Sequence, residues 1–136
     1  MRKAAPQLRA FLDGGGSVLL FGDQPDAWLP GVDWEFREAD AAAAVVPAED
    51  VRGFHGAVPR DDASWHYHGV FHPPADAITV LAAADGAAVL YIDERSTGGT
   101  LLVTSLDPLA HYGRTFLPAA GRFLDRFLPW AVEALT

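Results

Sequence analysis

Three histidines crowd the stretch SWHYHGVFHPP, at His66, His68 and His72. A neutral imidazole carries one lone pair, and residues two apart on a strand turn to the same face. Three imidazoles beside a carboxylate suit zinc or another borderline ion, so His66, His68 and His72 are the candidate metal ligands, with Asp107 and His111 expected to converge on them from the next elbow. The same residues read equally as loop caps and surface groups, and His55 reads as a loop residue packing beside Phe54. A second polar group, SLDPLAHYG from Ser105 to Gly113, sets an acid, an imidazole and a phenol at the end of an apolar strand. His111 is a candidate acid–base group because imidazole titrates near neutrality. Asp23, following Gly22 at the end of another strand, is a candidate base or nucleophile. Asp23, His68, Asp107 and His111 form the candidate catalytic set, with Tyr112 and Trp65 as candidate ligand-binding aromatics. Each has a plainer alternative. Asp107 before Pro108 accepts backbone N–H groups and sets a turn, His111 holds the elbow through a loop carbonyl, Asp23 forms a turn, and loop tryptophans cover a core.

Other chemistries are excluded by residue type. The chain has no cysteine, so disulfides, thiolate zinc sites and cysteine nucleophiles are ruled out. Ser105 lacks the G-x-S-x-G context of a serine hydrolase. Gly14-Gly15-Gly16 precedes a strand rather than opening a helix, so it is no phosphate loop. A formal charge of −8 repels phosphate backbones, and nucleic acid is not expected as a partner. Met1-Arg2-Lys3 is basic, but Phe11-Leu12 gives way at once to Asp13 and glycines, unlike a signal peptide. No run approaches the roughly 18–20 apolar residues of a membrane helix. A soluble, cytoplasmic protein without a membrane partner is expected.

These groups must be positioned by a framework in which strands and helices alternate. At 136 residues and half apolar, residues 1–136 read as a single α/β domain. Leu8, Phe11 and Leu12 mark an opening helix that ends at the glycines. Ser17 to Phe21 (SVLLF) and Thr100 to Thr104 (TLLVT) are compact apolar runs, read as strands buried on both faces. Trp34 to Ala44 is ambiguous: WEFRE suits a strand, while DAAAAV (40–45) suits a helix or a second strand. Val51 to Pro74 reads mostly as loop, with a short strand near Val70-Phe71. Ala77–Ala82 and Ala88–Asp93 form a hairpin around Asp85-Gly86. Phe116, Ala120, Phe123, Leu124, Phe127, Leu128, Ala131 and Leu135 make one wide stripe of a closing helix. Thr115 is its expected N-cap, and Pro129 its expected kink.

In order, GGGSVLLFG, the His-rich loop, the hairpin ADAITVLAAADGAAVLYIDE, GGTLLVTSLDPLAHYG and FLDRFLPW resemble the class I glutamine amidotransferase-like superfamily. The likeness is to its non-amidotransferase branches, such as ThuA-like proteins and domains attached to some glycosidases, and to the second half of that domain only. It implies a flavodoxin-like, mostly parallel sheet with flanking helices, truncated at its N-terminal side and carrying an antiparallel hairpin. Where the family's amidotransferases place a cysteine, this chain has Gly22-Asp23, so glutaminase chemistry has no thiolate to run on. The expected function is a non-catalytic interaction or assembly module. The alternatives are a small hydrolase or carbohydrate-related enzyme using the His/Asp site, with or without a metal, and a small-ligand-binding module. No cofactor is expected beyond a divalent ion such as zinc. The missing strand–helix units leave an apolar edge, which implies a homodimer or a partner chain completing the sheet near Leu19 and Leu20.

Overall fold

The computed structural model describes residues 2–38, 46–47 and 49–136. A 3-10 turn (Arg2–Ala4) leads into α1 (Ala5–Asp13), and the glycines close it by donating to the carbonyls of Ala10, Leu12 and Phe11. Then follow β1 (Ser17–Phe21), β2 (Trp34–Phe36), β3 (Val46–Pro47), α2 (Phe54–Ala57), α3 (Arg60–Ala63), β4 (Gly69–Phe71), β5 (Ile78–Ala82), β6 (Ala88–Asp93), β7 (Thr100–Thr104), α4 (Pro108–Thr115) and α5 (Pro118–Ala134). Residues 40–45, read from sequence as helix or strand, lie outside the described residues.

The strands form one curled mixed sheet in the order β1-β7-β6-β4-β2, with β5 paired to β6 and to β3. β1 and β7 run parallel, in register from Ser17 opposite Thr100 to Phe21 opposite Thr104. Every other pairing among the described residues is antiparallel. This corrects the expected flavodoxin-like, mostly parallel sheet. The physical reason lies in the connections. Residues 83–87 join β5 to β6 and 94–99 join β6 to β7, whereas a parallel return needs a crossover of about a dozen residues or more. Those strands can only fold back on one another. β1 escapes the constraint because its partner lies most of the chain away.

Apolar runs cover both faces of the sheet, as the sequence suggests, and alternation along β1 shows how. Leu19 and Phe21 pack with Phe123, Phe127, Leu102 and Ile92 on the α5 side. Val18 and Leu20 pack with Leu12, Leu29, Val32, Leu101 and Val103 on the other. α5 buries Ala120, Phe123, Phe127, Trp130, Ala131 and Ala134, each large side chain contributing about 1.5–3 kcal/mol of apolar burial. Pro129 sits inside α5 at an exposed position without ending it. Thr115 is the last residue of α4 rather than a cap, and Leu117 takes the N-cap position of α5. At the entry to β7 the backbone of Gly99 lies against that of Gly16. A Cβ there would come within 1.9 Å of the Gly16 carbonyl oxygen, so only glycine lets β7 and β1 enter the sheet side by side.

Candidate functional site

The parallel pair brings the carboxyl ends of β1 and β7 together, and the site grows from those ends. Past β1, the Gly22 N–H donates to the carbonyls of Thr104 (2.9 Å) and Leu106 (3.2 Å), stitching one strand exit to the other. Gly22 has φ +79°, and a Cβ on it would lie 3.2 Å from Asp107 Oδ2; glycine alone makes that turn without strain. The turn delivers Asp23. Past β7, Asp107 caps α4: its Oδ1 accepts from the Ala110 N–H at 2.9 Å. The turn-forming reading of Asp107 therefore describes what it does here. One helical turn later His111 folds back, and its Nδ1 lies 2.8 Å from the Asp107 carbonyl oxygen.

The second arm is the extended segment between α3 and β4. Tyr67 is fully buried, and alternation around it turns His66 and His68 to the same outward side. Their rings meet edge to face with centroids 4.4 Å apart, and the His111 ring lies 4.8 Å from His66 and 5.9 Å from His68. One ring nitrogen from each of His66, His68 and His111 falls within 4.8 Å of the others. His68 Nδ1 is 3.3 Å from Asp23 Oδ2.

Protons can be assigned from these partners. A carbonyl oxygen only accepts, so His111 carries its proton on Nδ1 and leaves Nε2 as a lone pair. Facing a carboxylate, His68 does the same. His66 Nε2 then lies 2.6 Å from His68 Nε2, a separation at which two bare lone pairs would repel. A shared proton or a cation belongs between them. Burial, and then the neighbouring rings of His68 and His111, hold His66 below the usual imidazole range, against a smaller opposing pull from Asp23. His66 is thus neutral at pH 7 and able to ligate. A tetrahedral zinc ion with Zn–N bonds of about 2.0–2.1 Å sets its nitrogens roughly 3.3 Å apart, within reach of small rotations of these half-exposed rings. The donor set fits a borderline divalent ion, and the partners on His68 and His111 are of the kind that orient ligating imidazoles.

The remaining candidates are placed differently. His72 is on the far side of β4, with Nε2 2.5 Å from Glu35 Oε2, and His111 stands in the cluster where the sequence suggested His72. Trp65 is buried and donates through Nε1 to the Asp62 carbonyl at 2.8 Å. Its ring lies 5.2 Å from that of His111 and 5.8 Å from that of Phe123, so it forms a wall behind the site. Tyr112, next to His111 in α4, is half exposed and its ring packs over Gly121. The meeting of His111 with His66 and His68 is the convergence expected from sequence at the elbow after β7, and closure of the sheet brings it about.

No family model and no curated protein matches the sequence. Among solved structures the fold resembles part of the exo-β-1,4-mannosidase Op5Man5 from Opitutaceae bacterium strain TAV5, with a TM-score of 0.50 and 14% identity over 90% of this chain. The chain spans 23% of the length of that protein. That likeness is to a segment of a glycoside hydrolase chain, and it does not support the flavodoxin-like and amidotransferase-like descriptions expected from sequence.

Proposed function

We propose that this chain is a metal-dependent domain whose ion, of the zinc class, is held by His66, His68 and His111. The carrying observation is the convergence of three imidazoles whose outer nitrogens, on His68 and His111, already face oxygen acceptors. In this reading Asp23 and the Asp107 carbonyl orient the ligands rather than bind the ion. The fold likeness to part of a mannosidase adds a carbohydrate-related setting. The test is metal content. Purified protein equilibrated with zinc and freed of excess should carry one ion per chain, and His68→Ala should carry none. Asp23→Asn should bind about 10–100-fold more weakly, the usual effect of removing an orienting carboxylate. Trace zinc in the unaltered protein would sink the proposal.

A second reading, an assembly module without catalysis, draws on the outer edge of β1, which pairs with no strand among the described residues. Such edges template further pairing. Sedimentation at micromolar concentration should then show a dimer, and a monomer would remove this reading.

A further inference from the structure

We propose that the ion keeps an open coordination position for water, and that the domain hydrolyses small, uncharged, activated carboxylic esters through the hydroxide formed there. The inference rests on the metal reading above. Structural zinc sites are closed by four protein ligands, whereas catalytic ones use three and leave a fourth place for water. Here three ligands converge, and no further histidine or acid joins them among the described residues. The nearest acids are engaged otherwise: Asp23 faces His68 Nδ1 at 3.3 Å, and Asp107 caps α4 through the Ala110 N–H at 2.9 Å. Cysteine cannot fill the place, since the chain has none.

Charge favours the same chemistry. Three neutral imidazoles leave the full double positive charge on the ion, which acidifies bound water more than a carboxylate-rich shell would. His68 is 41% exposed, so solvent and substrate can reach the ion. On the Nδ1 side of His68, Asp23 lines a cavity of about 210 Å³ with Gln24, Pro25, Asp26 and Trp28, adjoining the site through Asp23 rather than through an imidazole. Two carboxylates in that wall, on a chain of charge −8, oppose phosphate esters and other anions, which leaves a neutral acyl ester as the fitting substrate. In the reaction, bound water gives a proton to buffer and the resulting hydroxide oxygen attacks the ester carbonyl carbon. The ion stabilises the oxyanion, and the bond from carbon to the leaving oxygen then breaks. The leaving oxygen takes a proton back from buffer, so carboxylic acid and alcohol depart with no net proton change, and a second water refills the position. One water is consumed and no electron changes hands.

The experiment compares zinc-loaded protein, chelator-treated apoprotein, His111→Ala and His66→Ala on 4-nitrophenyl acetate. The apoprotein measures what free imidazoles do alone. The second variant is included because His111 also packs on Trp65. The zinc form should exceed the apoprotein and both variants at least tenfold. In parallel, azide added to the cobalt-substituted protein should shift its visible absorption, reading the open position directly. One zinc per chain with a rate no higher than that of the apoprotein overturns the hydrolysis and leaves the metal reading standing. A cobalt spectrum unmoved by azide overturns the open position. Absence of bound metal overturns both readings together.

Discussion

Phe116 closes α4 in the left-handed region at φ 52°, where an L residue carries a strain of roughly 1–2 kcal/mol. The cap itself is sound: its N–H donates to the Tyr112 carbonyl at 3.0 Å, and that of Leu117 to the His111 carbonyl at 3.1 Å. Glycine is the usual occupant of such a cap, and the phenyl ring is 75% exposed, so little burial offsets the strain. Phe116→Gly should raise stability by about 0.5–1 kcal/mol once the greater freedom of glycine in the unfolded chain is subtracted. Phe116→Ala, which keeps the strain, should show no such gain. Paired urea melts check this, and a glycine variant no more stable than the alanine one refutes it. At this scale the site was partly legible. His66 and His68 could be paired from spacing because one residue, Tyr67, points into the core between them. His72 has the same parity but lies four residues past His68, about 13 Å along an extended chain, too far to share an ion with it. His111 could be expected to converge on His66 and His68 only because strand ends gather ligand crevices, since nothing in local spacing encodes a contact across 45 residues.

Among elements, β2 shows how a short outer strand is held. It has three residues and, among the described residues, pairs only with β4. Charges tie it down further: Arg37 reaches Glu35 Oε1 and Asp85 Oδ2, both at 2.8 Å, and Glu35 also meets His72. The His72 contact first and Arg37 second hold the Glu35 carboxyl below its ordinary 4.5. The Arg37 contact, and then the Ala87 N–H, hold Asp85 below 3.8. A carboxyl with a depressed folded value lends stability that is full above its unfolded value and lost as pH falls through the folded one. Protection of the β2 amides from hydrogen exchange should therefore decline below about pH 4.5 before that of β6 does. Equal protection of the two strands down to pH 2 would show that these exposed ion pairs add nothing. Nearly all the strands could be located from sequence, since SVLLF, AVLYID and TLLVT are unmistakable apolar runs. Their direction was legible in part: the hairpin around Asp85-Gly86 is antiparallel as its turn predicts, whereas the mostly parallel sheet implied by the family resemblance does not form. Burial on both faces suits a parallel sheet, but a meander covered by helices on one side and by α1 and the Trp28–Val32 loop on the other buries β6 and β7 just as fully. The short connections were the better signal.

For the whole molecule, the ion would be a clamp between distant parts of the chain. His66 and His68 come from the segment entering β4, His111 from α4 after the last strand, and Asp23 from the exit of β1. Forming the site in the unfolded chain means closing long loops at an entropic cost, so metal binding should favour the folded state. For one site at 100 times its dissociation constant, linkage adds about 2.7 kcal/mol of stability. In a domain of this size that corresponds to a rise in Tm of roughly 10 °C. Zinc should therefore shift the thermal midpoint of the unaltered protein in proportion to the logarithm of its concentration, and leave His111→Ala unmoved. Magnesium, which prefers oxygen ligands, should shift neither. The same clamp acts across the sheet rather than within one strand, since His111 and the orienting Asp23 follow the two strands of the single parallel pair found among the described residues, while His66 and His68 come from the entry to β4. The metal-induced protection should therefore appear at the carboxyl ends of β1 and β7 and in α4, and be smallest at β2. Uniform protection, or a midpoint indifferent to zinc, would mean that the three imidazoles share a proton and not an ion.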